Sequence, residues 1–378
     1  VSSGSPKVSE RIPSLDGLRA VSILLVLVSH STLSMPPALA DHPHFWLFAA
    51  NSQLGVRTFF VISGLLITSL LVRDFDEHGG VRIAAFYGRR VRRIFPAFYT
   101  YILVLALLVA LHVVRSPATS DFVTAATFTW NYGHIWYPGN FEGRFLLGQF
   151  WTLAVEEQFY LLWPVTLAMA GLVRARTIAV ILLAAMPLVR VAAYFLWPAA
   201  RAASAELLQS TADCLMVGVI IALSAGTPRF EALVARLTRT PWPSLAAVVV
   251  ATVVSPLLKS MFGGPYLLAA GWTIDSLCIG LVVLYLTRLP GCTAGRILNS
   301  RPFVAIGVLS YSLYLWSMLF FSGVNRTWTG TFPVGYVMTV LAATLSYHLV
   351  EKPILRMGRG AKVPTNGATP AHTFRAAG

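Results

Sequence analysis

The sequence predicts an all-α polytopic membrane protein of about ten transmembrane helices, with both termini cytoplasmic. Three observations carry that prediction. Only 12% of the 378 residues are charged and 56% are hydrophobic, about half the charge fraction of a soluble protein, and the mean hydropathy is +0.68. Apolar runs long enough to cross about 30 Å of hydrocarbon recur along nearly the whole chain. The basic residues then fall in alternate loops, the bias that orients membrane helices. The net charge of +14 is accordingly assigned to cytoplasmic loops and anionic lipid. No nucleic-acid motif argues otherwise.

The apolar runs lie near 15–34, 54–72, 94–114, 152–172, 177–197, 206–224, 243–262, 265–287, 302–322 and 332–350. They divide the chain into a cytoplasmic tail, 1–13, a membrane domain, 14–353, and a tail, 354–378, whose Gly, Pro, Ala and Thr read as disordered. Val1 to Glu10 are polar and hold no apolar h-region, so no cleaved signal peptide is expected. With the N-terminus inside, most of the 29 basic residues fall on the inner side. Outside stand only Arg115, Arg144, Arg201, Lys259 and Arg326, while Arg57 and Arg190 sit within spans. The segment 121–149 is half apolar and could hold a short re-entrant helix on the outer side. A full span there would invert everything after it and spoil the charge bias.

The first run, Ser14 to Ser31, carries Arg19 near one end and His30 deep inside. Eleven residues at 100° each make about three turns plus 20°, so both side chains share a face roughly 16 Å apart along the axis. Ionisable groups inside a membrane are costly and usually face a functional cavity. The alternative is a satisfied interhelical histidine and an arginine that snorkels to the interface. In the second run Arg57 opens the stretch Phe59-Phe-Val-Ile-Ser-Gly64, where Ser63-Gly64 reads first as a site of close helix contact.

Before the third run stand Arg89, Arg90, Arg92 and Arg93, with Pro96 just behind them. Positions 89 and 93 are one turn apart, so guanidinium groups can converge on a phosphate, which planar bidentate donors suit. A plain positive-inside anchor is the competing reading. The fourth run opens with Trp151-Thr-Leu-Ala-Val-Glu-Glu-Gln-Phe-Tyr160. Neighbouring Glu156 and Glu157 differ by 100°, so one is expected to face inward and the other the interface, and Glu156 aligns with Tyr160 at i+4. An acidic first turn complementing the helix dipole would read the same way. Because this span starts at the outer face, Glu156 is expected to meet His30.

Asp213 and Asp275 lie in later apolar runs and must find a partner or line water, with Arg57 or Arg190 available. Tyr311 falls in Ser310-Tyr-Ser-Leu-Tyr-Leu-Trp316. Glu351-Lys-Pro353 reads as a stop signal. Cys214, Cys278 and Cys292 show no metal spacing and read as packing residues. No metal is expected.

Together these stretches resemble the membrane acyltransferase-3 family, O-acyltransferases that modify sugars and natural products. The matching pieces are Arg19-x10-His30 after Leu-Asp-Gly-Leu, the Phe59–Gly64 stretch, Arg89-Arg-x-x-Arg93-Ile-x-Pro96, Leu153-x-x-Glu156-x-x-Phe159-Tyr160, the Ser310–Trp316 stretch and Glu351-Lys-Pro353. They run in the family's order over about 340 residues. Two departures stand out. Ser317 occupies a position where many members carry His, and the optional outer hydrolase-like domain has no counterpart here, implying unaided delivery of the acyl group.

The resemblance implies acyl-CoA, acetyl-CoA by default, as cytosolic co-substrate. Arg19, Arg89, Arg90 and Arg93 would hold its phosphates. His30 would be the general base and Glu156 would fix its tautomer. Arg57, Ser63, Tyr160, Asp213, Asp275 and Tyr311 would support the substrate. The implied acceptor is a hydroxyl of a sugar, glycolipid or glycosylated natural product, reached from a bacterial-type cytoplasmic membrane and its cell envelope. The rival expectation is a secondary transporter or flippase for a small or lipid-linked anionic substrate. It fits the buried charges but lacks an inverted repeat. A purely sensory or scaffold protein would leave the intramembrane His and Glu without a purpose.

Overall fold

The computed structural model describes residues 13–32, 34–40, 42, 51–138, 144–201, 203–321 and 328–360. The far ends of both expected tails, and Arg326, lie outside the described residues. The described chain is all helical, with no strand. Ten helices build the site and its supports: α1 (Pro13–Ser31), α2 (Ser52–His78), α3 (Ile83–Ala110), α4 (Thr119–Ala126), α5 (Phe150–Leu196), α6 (Leu208–Ser224), α7 (Pro228–Thr238), α8 (Trp242–Arg288), α9 (Arg301–Phe321) and α10 (Val334–Met357).

Among the described residues, seven helices are long and apolar enough to cross a membrane, or eight if the bent pair α6–α7 counts as one span. The expectation of ten differs from this count at identifiable places. Helices α5 and α8 each run 47 residues, about 70 Å at 1.5 Å per residue, twice the hydrocarbon thickness. Each breaks at a glycine in a conformation side chains rarely adopt: Gly171 (φ 72°, ψ 168°) and Gly263 (φ 60°, ψ −139°). Each therefore holds helix enough for two crossings. Helix α6 is shorter than a full span and turns by 114° into α7, an amphipathic helix latched to α8 by an ion pair in which Arg288 Nη2 lies 2.6 Å and 2.7 Å from the two Glu231 carboxylate oxygens.

The segment 119–147 forms no span among its described residues; it folds into short helices between α3 and α5. Polar side chains dock it: Tyr99 donates to the Ala126 carbonyl, Tyr101 to the Leu146 carbonyl, and Asn131 exchanges bonds with Gln158.

Lipid gives helices no hydrophobic drive to associate, so small residues and polar contacts decide which faces meet. Gly64 of α2 and Gly218 of α6 interlock. A Cβ on Gly64 would stand 2.1 Å from the Leu215 carbonyl oxygen, and one on Gly218 2.1 Å from that of Val61. The close contact expected of Ser63-Gly64 thus falls to the glycine, while the serine turns elsewhere. Gly307 does the same near the start of α9, where a Cβ would meet the Asp16 carbonyl oxygen at 1.9 Å. This crossing aligns α1 and α9 in the same direction, with Asp16 beside Gly307 at one end and His30 beside Ser317 at the other.

Candidate active site

Helices α1, α2, α3, α5 and α9 surround a cavity of about 700 Å³, closed on a further side by α6, α7 and α8. Arg19, Arg90 and Arg93 line it. Arg90 arrives from the second turn of α3, its guanidinium 5.6 Å from the ring centres of both Phe86 and Tyr160. Its Nε is buried without a hydrogen-bond partner. Arg19 lies 3.9 Å from Asp16, too long for a strong bond. Arg89, one position earlier, is exposed and does not line the cavity.

One stripe of α5 forms the opposite wall. Thr152, Glu156 and Tyr160 recur every fourth residue, spanning about 12 Å along the axis, and all three line the cavity. Glu156 accepts from the Ser63 hydroxyl at 2.8 Å. The Tyr160 hydroxyl lies 3.2 Å from Ser63 and 3.3 Å from Glu156, as their one-turn spacing requires. The carboxylate also lies in the field of Arg19 and Arg90. Glu157 lines the same cavity, against the expectation that one of the two neighbours would turn to the interface. The cavity is wide enough to take both sides of a 100° arc.

Away from Arg90 the stripe meets α9. The Tyr314 hydroxyl accepts from Thr152 at 2.6 Å and donates to the Gln149 carbonyl at 2.9 Å. Tyr314 lines the cavity, and its ring centre lies 6.3 Å from that of His30. His30 itself is not part of the lining; its ring sits across Tyr314, with Nδ1 3.3 Å from the Ser317 hydroxyl. The expected pairing of His30 with Glu156 is therefore not what the fold makes. Glu156 spends its oxygens on Ser63 and Tyr160, one helical turn nearer the arginines. Tyr311 also lines the cavity and donates to the Ile94 carbonyl at 3.0 Å.

Arg57, Asp213 and Asp275 gather elsewhere, where α2, α5, α6 and α8 meet. Of the two partners open to Asp213, Arg190 takes it, at 2.7 Å, with both side chains fully buried. Arg57 donates to the Trp272 carbonyl at 3.2 Å and approaches the Cys214 sulfur at 3.6 Å. Asp275 keeps one buried oxygen without a partner. The three cysteines are free. Among the described residues no cluster of His, Cys, Asp and Glu could hold a metal ion.

Thr152, Tyr314 and Arg288 are cavity residues that sequence reasoning passed over, while Glu157 was weighed with Glu156 and only one of the two expected to face inward. The i−4 spacing from Glu156 signals Thr152, and the Ser310–Trp316 stretch contains Tyr314. Arg288 gave no signal, since its place depends on how α7 folds back against α8.

A bundle of apolar helices around an internal pocket of arginines, carboxylates and tyrosines defines a polytopic membrane protein with a buried polar site. The chain belongs to the acyltransferase-3 family: that family's model, described as an acyltransferase domain, matches residues 12–348. A Bacillus subtilis protein provisionally named a peptidoglycan O-acetyltransferase is 27% identical over 365 residues, covering 92% of this chain and 55% of the relative. A Staphylococcus aureus protein provisionally named an O-acetyltransferase is 28% identical, covering 92% and 58%. The peptidoglycan O-acetyltransferase OatA of Listeria monocytogenes is 25% identical, covering 92% and 56%. The chain thus spans somewhat more than half the length of these relatives. No solved structure matches.

Proposed function

We propose that this chain moves an acyl group, acetyl by default, from cytosolic acyl-CoA to a hydroxyl of an envelope carbohydrate, glycolipid or glycosylated natural product. The observation that carries the reading is the cavity itself. It runs from three arginines without a bonded carboxylate to Tyr314, with His30 on the far side of that ring. Family membership and relatives named as O-acetyltransferases support it.

Arg19, Arg90 and Arg93 suit the phosphates of a nucleotide donor, and the orphaned Nε of Arg90 is a donor awaiting an acceptor. The positive-inside bias puts these arginines, and both termini, on the cytosolic side. The apolar flank of Phe59, Phe60 and Leu66 suits the slender arm that carries a thioester. At the Tyr314 end the acceptor hydroxyl attacks the thioester carbonyl. A C–O bond forms, the hydroxyl proton passes to His30, and the C–S bond breaks. The proton on the imidazolium then returns to the departing thiolate, so the enzyme ends unchanged. Passage from cavity to His30 requires the Tyr314 ring to turn or the reacting atoms to meet at its edge. Glu156 acts at the donor end, holding Ser63 and Tyr160 and balancing the arginines.

General-base removal typically costs 10² to 10⁴ in rate, so His30→Ala should lower acyl transfer by at least about 100-fold. The variant should still show thermal stabilisation by CoA in detergent. Wild-type transfer by His30→Ala would refute the assignment. The transporter reading would be favoured instead if CoA and acetyl-CoA leave the thermal transition unmoved. Mass spectrometry of envelope glycans and lipids with and without the gene would identify the acceptor by its lost acyl mass.

A further inference from the structure

We infer that Ser317 fixes His30 in the tautomer that carries its proton on Nδ1, leaving Nε2 as the basic nitrogen. A serine hydroxyl has one proton to give. Ser317 Oγ lies 2.9 Å from the Tyr314 carbonyl oxygen one turn earlier in α9, and 3.3 Å from His30 Nδ1. The carbonyl can only accept, so the shorter contact is a bond only if Ser317 donates to it. The remaining contact is then a bond only if Nδ1–H donates to Ser317. The opposite tautomer would leave two lone pairs facing each other, across 3.3 Å if Ser317 donates to the carbonyl or across 2.9 Å if it donates to Nδ1. Ser317 is fully buried, so no competing solvent relieves that clash. Nε2 makes no hydrogen bond to any described residue.

Ser317 therefore does for His30 what the expected Glu156 contact does not. The ring nitrogen engaged by a neighbour sets which nitrogen is free to act. The hydroxyl brings no negative charge, so it positions the ring without stabilising the imidazolium as a carboxylate would. Ser317 is a positioning residue. Its consequence for catalysis rests on the reading of His30 as base, whereas the tautomer does not.

The two can be tested apart. Nitrogen-15 NMR of the detergent-solubilised protein, labelled only at histidine, reports each ring's tautomer, and the His30 signals are those lost in His30→Gln. The expected result is an Nδ1–H form for His30 that becomes a mixture or reverses in Ser317→Ala and is restored in Ser317→Thr. An Nε2–H form in the wild type, or a tautomer unmoved by Ser317→Ala, overturns the inference. In native membranes, which hold the acceptor, release of CoA thiol from acetyl-CoA should fall up to about tenfold in kcat for Ser317→Ala, the worth of one neutral hydrogen bond. KM for acetyl-CoA should hold, and Ser317→Thr should recover the rate. If the tautomer behaves as stated but His30→Ala retains full activity, the proposed function falls and the tautomer assignment stands.

Discussion

Two sets of arginines in this membrane domain are treated in opposite ways: Arg190 is fully buried, whereas at the cavity Arg19 and Arg90 are part-buried and Arg93 is exposed. Every nitrogen of Arg190 is bonded. Its Nε donates to the Leu268 carbonyl, Nη1 to Asp213 and the Ser210 carbonyl, and Nη2 to Thr273, which in turn donates to Asp213. Leu268 lies in a π-helical stretch, Leu267–Gly271, where the irregular ladder presents carbonyls to a side chain. Around the cavity, Arg90 and Arg93 have no ion-pair partner among the described residues, and Arg19 has only a distant one. A charge buried in a bilayer protein must be neutralised by something. The protein itself supplies the partners of Arg190, whereas at the cavity no carboxylate stands within hydrogen-bond distance of Arg19, Arg90 or Arg93 among the described residues.

That contrast can be broken from either side. The largest effect is expected on the sealed side. Asp213→Ala strands a fully buried guanidinium, and loss of one partner of such a pair costs about 3–5 kcal/mol, to be read as a lowered thermal transition in detergent. If stability is unchanged, the pair is not the fastening described. On the open side, Arg90→Ala should leave the thermal transition nearly in place and raise KM for acetyl-CoA about 10- to 100-fold, the worth of one or two charge-assisted hydrogen bonds. An unchanged KM would detach the arginines from the donor. Ser63→Ala removes the hydroxyl between Glu156 and Tyr160 and should lower kcat/KM by about tenfold or less. Arg89→Ala should have the smallest effect, with KM within about twofold of wild type, since exposed charges contribute little. A loss equal to that of Arg90→Ala would mean the donor reaches outside the cavity.

Much of this was legible in the order of residues. The i+4 repeat through Glu156 and Tyr160 predicted their contact, because helical geometry alone brings one-turn neighbours together. The Arg19–His30 spacing placed both on one face of α1, yet only Arg19 opens to the cavity. What intervenes is Tyr314, from a helix nearly 300 residues later. The choice of Arg190 over Arg57 for Asp213 was likewise open in the sequence, since both arginines lie in apolar runs and only helix packing brings one carboxylate within 2.7 Å.

By itself, the sequence determined that the chain is a helical membrane protein, which family it joins, and which of its helices carry buried charge. These follow from hydropathy, charge placement and motif order, all local properties of the chain. Tertiary structure decided the pairings: Glu156 to Ser63 rather than His30, His30 to Ser317, Asp213 to Arg190. Side chains on different helices meet only where close crossings such as Gly64–Gly218 and Asp16–Gly307 set the register. A register between helices is a property of their contact, and no single run of residues contains it.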